Sequence, residues 1–319
     1  MRLTVLLLCF ICFCYGVAFA GDVNSVVVTV NGENLIAAEL NQEVQKLVPM
    51  EASYHGGMSA EKIKNIQSKA LATLVEKELQ YQDGLARGVK LDSEAVDESY
   101  KRVIENYSSR KEFNKAIEKA GFTEKLLKRF IARDLLSEKI RKQEVDDKVR
   151  ITEATIAEYY ETNKNRYMKP EEYRASTILV KVDPSSNTEE RAKLKERAES
   201  LMKKVKEGAD FGQLAYDNSD DMSRIKGGDT GYFHLGRMVQ EFEEAVKKLK
   251  VGEVSGIVES MYGYHIIKLT DKKAPRQLPY EEVKDKIRTQ LVEKEKKRLF
   301  DEWMGGLRSK AKIVYPGKG

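Results

Sequence analysis

Few side chains in this sequence are suited to making or breaking covalent bonds. The chain has only three histidines, His55, His234 and His265, and its three cysteines all lie within positions 9–14. It has no glycine-rich phosphate loop, and its tyrosines and phenylalanines follow no stacking motif. These features argue against a metal centre, a nucleotide site and a nucleic-acid surface, and they imply no cofactor.

Two polar residues have surroundings that suggest a site. His265 lies in an apolar strand-like run, so at least half of its side chain should be buried, although a lone buried histidine is most often a hydrogen-bonded core residue. Asp221 ends the polar run 218–221, where an aspartate commonly caps or turns the chain. The other two histidines, His55 in a loop and His234 after a short strand, have no partners in sequence and are expected to be exposed.

Four motifs surround these residues. They are Tyr-Arg-Ala-Ser-Thr-Ile-Leu-Val-Lys at 173–181, Gly-Gly-Asp-Thr-Gly-Tyr-Phe at 227–233, Gly-Arg-Met-Val-Gln-Glu-Phe at 236–242 and Tyr-Gly-Tyr-His-Ile-Ile-Lys-Leu at 262–269. Together they resemble the parvulin (PpiC-type) peptidyl-prolyl isomerases, over 171–273, the length of a compact domain. The resemblance implies catalysed rotation about X-Pro bonds in polypeptides.

The resemblance implies a polar set of Asp221, Ser260 and His265, with Thr177 where the family usually has a second histidine. A carboxylate at Asp221 favours an electrostatic or hydrogen-bonding role over covalent attack. In the family the two histidines orient each other across the sheet. Loss of one net hydrogen bond of about 0.5–1.5 kcal/mol would slow catalysis roughly two- to twelvefold. If the pair positions the whole site, activity would be lost instead, and both outcomes stay open.

An apolar slot for the proline ring is implied at Met238 and Phe242, with Tyr262 arriving from the last strand region. The spacing of four predicts that Met238 and Phe242 share one face of one helix, which by itself is equally typical of core packing. A third apolar position usually follows Gly-Gly-Asp in the family, but Thr230 stands there. This substitution is expected to loosen the slot or shift its preference.

Residues 1–20 have the composition of a secretory signal. Arg2 precedes an apolar run, and Ala18 and Ala20 form the Ala-x-Ala arrangement of a cleavage site. We expect a cleaved signal and a periplasmic protein, with an uncleaved membrane anchor as the alternative because the run is almost long enough to span a bilayer. All the cysteines lie in this segment and none has a lipoprotein signal, so the mature chain is expected to have no thiol.

Charge along the chain is nearly balanced, with 56 basic and 51 acidic residues and a net charge of +5. The two signs alternate through helical stretches such as 189–206, which is typical of solvated helix faces. The small positive excess is compatible only with a weak association with anionic envelope surfaces.

The order of predicted elements divides the chain. A hairpin at 26–36 turns at Asn31-Gly32, and helical periodicity covers 37–165. Strands and helices alternate over 173–270, and a long amphipathic helix follows at 280–311. The expected caps of three further N-terminal helices are Asp92, Ser109 and Thr123.

A long helix that follows an α+β insert must bury its apolar face, and the earlier helices are its expected partner. We therefore expect a signal at 1–20, a helical chaperone-like domain at 21–168, a parvulin-type domain at 171–273, and a helix at 276–315 packing on the N-terminal domain. The fold class is α+β, a small antiparallel sheet with surrounding helices inserted in a mainly α-helical domain. Two independent domains with a tail helix are the alternative.

This order resembles the SurA-type and related secreted parvulin chaperones. It implies a peptidyl-prolyl isomerase and folding chaperone whose partners are unfolded or newly exported polypeptides with X-Pro bonds. Thr177 and Thr230 favour a competing hypothesis, a non-catalytic holdase with a degenerate parvulin domain. A structural envelope protein without clients is the third possibility, and it predicts no exposed apolar groove between the helices.

Overall fold

The computed structural model describes residues 22–51 and 59–317, so the predicted signal and His55 lie outside the described residues. The described α-helices are α1 Ala37–Glu51, α2 Ala60–Ala86, α3 Ser93–Glu105, α4 Arg110–Lys119, α5 Glu124–Glu144, α6 Glu153–Thr162, α7 Thr188–Lys206, α8 Phe211–Asn218, α9 Gln240–Lys248 and α10 Tyr280–Lys310. The strands are β1 Val26–Val30, β2 Glu33–Ile36, β3 Met168–Lys169, β4 Glu172–Lys181, β5 Asp229–Phe233, β6 Val254–Ser260, β7 Gly263–Lys273, β8 Arg276–Gln277 and β9 Ile313–Val314.

These elements form two compact units. One contains the described residues up to Ile151 and those from Thr289 onward, and the other contains Thr152–Arg288. The α+β class predicted from the sequence is confirmed, with small antiparallel sheets in a largely helical chain. Within the described residues, none of the helices combines the length and the apolar composition that a bilayer span requires.

The first unit begins with the hairpin of β1 and β2. Asn31 and Gly32 both adopt positive φ, as the tight turn between these strands requires, and β9 pairs with the other edge of β1. The side chains of Asp92, Ser109 and Thr123 each accept a backbone N–H bond from the first turn of the following helix. The sequence predicted these helix starts because a cap satisfies local donors and needs no tertiary contact.

The core of this unit also takes in the C-terminal half of α10. Met304 is buried with apolar residues of the hairpin, α1 and α2, and Phe300 and Trp303 pack beside it. The Trp303 indole donates to Asp83 at 2.9 Å. Arg133 of α5 is fully buried in the same unit and paired with two glutamates, Glu39 at 2.9 Å and Glu78 at 3.3 Å.

The second unit is built on a four-stranded antiparallel sheet in the order β5-β4-β7-β6. One apolar cluster joins this sheet to α7 and α8, and a second cluster, with Phe242 and Val246, joins it to α9. β5 begins at Asp229, within the glycine-rich motif at 227–233, and pairs with β4.

The chain entering the sheet and the chain leaving it are tied together by the pairing of β3 with β8. The Tyr160 hydroxyl donates to the Leu278 carbonyl at 2.7 Å, and the Leu278 N–H donates to the Tyr167 carbonyl at 2.8 Å. Because these contacts join α6 to the segment before α10, the unit begins at Thr152, earlier than the boundary at 171 that the sequence predicted.

Candidate active site

The centre of the candidate site lies on the two inner strands of the sheet. In the register of β4 and β7, Leu179 pairs with His265 and Thr177 pairs with Ile267. Thr177 and His265 are therefore diagonal neighbours on the same face, the face that α9 covers. Their side chains are 4% and 7% exposed, so the expectation that His265 is at least half buried agrees with its position.

The imidazole of His265 is held from two sides. Its Nε2 lies 2.8 Å from the Ser260 hydroxyl oxygen, which also accepts the Tyr262 N–H at 3.1 Å. The Phe242 ring meets the imidazole edge to face, with the ring centres 5.9 Å apart. Burial lowers the pKa of His265, opposed by the negative charges of Asp221 and Glu241, and this favours the neutral form of the ring.

Two buried polar atoms in this centre have no hydrogen-bond partner among the described residues. They are the Thr177 hydroxyl oxygen and the His265 Nδ1. Both residues line the same cavity. Buried polar atoms are normally paired, so two unpaired atoms beside one cavity are an unusual feature of this site.

Asp221 reaches the cavity through a segment that is attached to β4. The Ser219 hydroxyl accepts the Leu179 N–H at 3.0 Å, and the Asp220 N–H donates to the Leu179 carbonyl at 2.8 Å. Asp221 then caps the 3-10 turn Met222–Lys226, because its Oδ1 accepts the Ser223 N–H at 2.7 Å. Asp221 therefore caps a turn, as its position in the polar run suggests, and it also lines the cavity.

The cavity has a volume of about 560 Å³. Seven of the eight site residues predicted from the sequence line it: Thr177, Asp221, Thr230, Met238, Phe242, Tyr262 and His265. Ser260 does not line this cavity, but its hydroxyl contacts the imidazole of His265, which does. His234, expected to be exposed, is exposed on the surface and lies outside the cavity.

Met238 and Phe242 do not share a helix, so that part of the prediction is wrong. α9 begins at Gln240 after the N-cap Val239, whose apolar side chain gives no capping bond. Met238 therefore lies in the loop before the helix, although it still packs in the cluster that contains Phe242.

Thr230 replaces an apolar residue of the implied slot and makes a defined bond. Its hydroxyl donates to the Ala175 carbonyl at 3.0 Å, beside the irregularity where β4 shifts register against β5 between Arg174 and Ser176. The hydroxyl thus satisfies a carbonyl at a β-bulge, which gives Thr230 a structural role beside the cavity.

The Gly-Gly-Asp motif is explained by a close backbone approach. Gly228 has a φ of +81°, and a Cβ there would lie 2.4 Å from the Thr177 carbonyl oxygen. The Thr177 N–H donates to the Gly228 carbonyl at 2.9 Å. Only glycine allows this contact, which fixes β4 against the loop that leads from Asp221 to β5.

Glu243 was not identified from the sequence. Glu243 is 9% exposed, and its Oε1 accepts the N–H groups of Gly236, Arg237 and Met238 at 2.7, 3.0 and 3.0 Å. A glutamate in the first turn of a helix that lacks a side-chain cap is the only signal that sequence offers for this contact. Among the described residues no group of histidine and carboxylate side chains could hold a metal ion.

The fold and the site agree with the protein families that this chain matches. Residues 159–273 match the PPIC-type PPIase domain, and residues 1–141 match the SurA-like N-terminal domain. The resemblance to PpiC-type isomerases in a SurA-like architecture, predicted from the motifs, is confirmed.

The similar proteins include both foldases named PrsA and chaperones named SurA. Foldase protein PrsA of Geobacillus kaustophilus is 35% identical over 234 residues, which cover 73% of each chain. Chaperone SurA of Methylobacillus flagellatus is 31% identical over 209 residues, 65% of this chain and 48% of that protein, so the chain spans about half of this relative. A solved SurA-like chaperone of Campylobacter jejuni is 23% identical and covers 91% of this chain and 100% of that chain, with a TM-score of 0.46. The chain belongs to the family of PpiC-type isomerase foldases that includes PrsA.

Proposed function

We propose that this protein is a peptidyl-prolyl cis-trans isomerase and folding chaperone that acts on newly exported polypeptides in the cell envelope. One observation carries the catalytic part of the proposal. The His265 imidazole and the Asp221 carboxylate line the same cavity as the apolar side chains of Met238 and Phe242.

This combination suits amide rotation, which makes and breaks no bond. The barrier of about 18–20 kcal/mol arises from lost amide resonance, and a thousandfold acceleration needs only about 4 kcal/mol of differential stabilisation. Met238 and Phe242 would hold the proline ring. Asp221, His265 and Thr177 would favour the twisted amide over the planar one by electrostatics and hydrogen bonds. Ser260 would orient the imidazole, and Tyr262 would close one side of the cavity.

The chaperone part rests on the relatives, which are named foldase and chaperone, and on the SurA-like N-terminal domain. The clients would be unfolded polypeptides that contain X-Pro bonds. The predicted signal supports a periplasmic location, and an uncleaved anchor is the alternative. Mass spectrometry of the protein purified from its cells would test this, since cleavage leaves Gly21 as the first residue.

The catalytic proposal is tested by exchange NMR on a short Ala-Pro peptide with the full chain. We compare the natural protein with His265→Ala and Thr177→His, and use His234→Ala as a matched control because His234 is exposed outside the cavity. We expect exchange in the natural protein, a lower rate in His265→Ala and an unchanged rate in the control. The Thr177→His variant then measures what a second imidazole contributes.

A non-catalytic holdase is the second candidate, and the unpaired Thr177 hydroxyl and His265 Nδ1 favour it. If a hydroxyl cannot replace the partner that an imidazole usually finds in this family, the site is present but inactive. No exchange in the natural protein, with NMR spectra of a folded chain, would support this candidate. Suppression of client aggregation by the full chain is then the measurement of its function.

A further inference from the structure

The loop that carries Met238 is held by one buried carboxylate. Three successive N–H groups, those of Gly236, Arg237 and Met238, converge on Oε1 of Glu243. Gly236 has a φ of +92°, a left-handed conformation that favours glycine at the start of this loop. Converging N–H groups of this kind form a concavity that binds anions, and here a side chain of the protein occupies it.

No other bond in the described structure performs this task for the start of α9. The N-cap Val239 has no side-chain acceptor, and the next helical contact is the Glu243 N–H to the Val239 carbonyl at 3.1 Å. Glu243 therefore joins the helix to the loop before it, in the manner of a reach-back glutamate but spanning a longer stretch of chain. Phe242 precedes Glu243 directly in the helix. Glu243 therefore links the loop that carries Met238 to the helical turn that carries Phe242.

We propose that Glu243 is a positioning residue that sets the proline slot by fixing Met238 opposite Phe242. This inference depends on the proposed isomerase function for its kinetic measurements. Glu243 acts through Met238 and not on the substrate, since its carboxylate is buried and does not line the cavity. Loss of the carboxylate should weaken substrate binding far more than it lowers the isomerisation rate of the bound substrate.

The test uses the full chain and a double-mutant cycle. Glu243→Ala, Met238→Ala and the double variant are compared by exchange NMR for KM and maximal rate with the Ala-Pro peptide. Peptide affinity is measured in parallel by isothermal titration calorimetry for every variant, and the Met238 methyl signal is followed in the variants that keep this residue. Glu243→Gln keeps the volume and one acceptor oxygen, so it measures the effect even if the alanine variant is unstable. Glu244→Ala is the matched control, because Glu244 lies next in sequence and is exposed.

We expect Glu243→Ala to raise KM and the peptide Kd about tenfold with little change in maximal rate. The double variant should be no weaker than the weaker single variant, because both changes remove the same wall of the slot. Glu243→Gln should lie between, with a shifted Met238 methyl signal, and Glu244→Ala should match the natural protein.

The inference is overturned if the Glu243 variants leave Kd and the Met238 methyl signal unchanged. It is also overturned if the two single effects simply add. Failure of the proposed function looks different, because the natural protein would then bind the peptide without accelerating exchange. In that case the Kd cycle still decides the role of Glu243.

Discussion

Two threonines, Thr177 and Thr230, line the same cavity. From their hydrogen bonding we expect replacement by valine to raise the free energy of unfolding at one position and to lower it at the other. The Thr177 hydroxyl is buried without a partner among the described residues, whereas the Thr230 hydroxyl donates to the Ala175 carbonyl at 3.0 Å. Valine has nearly the shape of threonine and lacks the hydroxyl. The pair of substitutions therefore isolates the contribution of each hydroxyl within one site.

The magnitudes follow from the cost of an unpaired group and the value of a paired one. Burying an unsatisfied hydroxyl costs about 1–3 kcal/mol, so Thr177→Val should raise the free energy of unfolding of this unit by about 1 kcal/mol. Thr230→Val removes a neutral hydrogen bond and leaves a carbonyl at the bulge less well satisfied, so it should lower that free energy by about 1 kcal/mol. Activity should fall in Thr177→Val by roughly two- to twelvefold, since in the proposed mechanism this hydroxyl pairs with the twisted amide.

Native-state hydrogen exchange of the β7 amides is the appropriate assay of stability. Trp303 belongs to the other unit, so tryptophan fluorescence does not report on the sheet. Exchange NMR on the Ala-Pro peptide measures activity in the same samples. A loss of stability in Thr177→Val would show that its hydroxyl has a partner, and it would refute the reasoning. Two changes of the same sign would refute it as well.

Three further predictions concern this unit. Because burial lowers the pKa of His265, the folded state binds fewer protons than the unfolded state near pH 6.5. Its contribution to the free energy of unfolding is therefore full above that pH and declines below it. The opening free energy of the β7 amides, corrected for intrinsic exchange rates, should fall below pH 6.5 in the natural protein, and His265→Gln should remove this fall. A fragment of residues 152–288 should unfold at higher urea concentration than one of 171–273, followed by far-UV circular dichroism, because only the longer one keeps the β3–β8 pairing. Gly228→Ala should cost more than about 2 kcal/mol by the same hydrogen-exchange assay, against about 1 kcal/mol for Gly231→Ala, since only the first places a Cβ against backbone.

The parts of the fold that sequence predicted are those with local causes. The hairpin turn at Asn31-Gly32 and the helix starts after Asp92 and Thr123 need only neighbouring residues to be satisfied. The start of the second unit at Thr152 was missed because it depends on contacts such as Tyr160 with Leu278, which are 118 positions apart. No periodicity or cap in the sequence records such a pairing.

The site shows the same division. The motifs predicted which residues line the cavity, but the position of Met238 before the helix depends on a glutamate whose role appears only in three dimensions. A spacing of four predicts one helical face, but Val239 offers no side-chain cap and the helix starts at Gln240. That the Thr177 hydroxyl has no partner could not be predicted either, because it depends on everything that surrounds the residue.

The state of His265 limits what a second histidine could contribute. Amide rotation makes and breaks no covalent bond, so this site requires no proton transfer from His265, whose pKa is lowered by burial and whose Nε2 contacts the Ser260 hydroxyl. An imidazole at position 177 would thus supply a hydrogen bond to Nδ1 and orientation, but no acid or base. The value of one neutral hydrogen bond is about 0.5–1.5 kcal/mol, which changes a rate by roughly an order of magnitude at most. Because Ser260 and the Phe242 ring also orient the imidazole, threonine at position 177 is compatible with a slower isomerase.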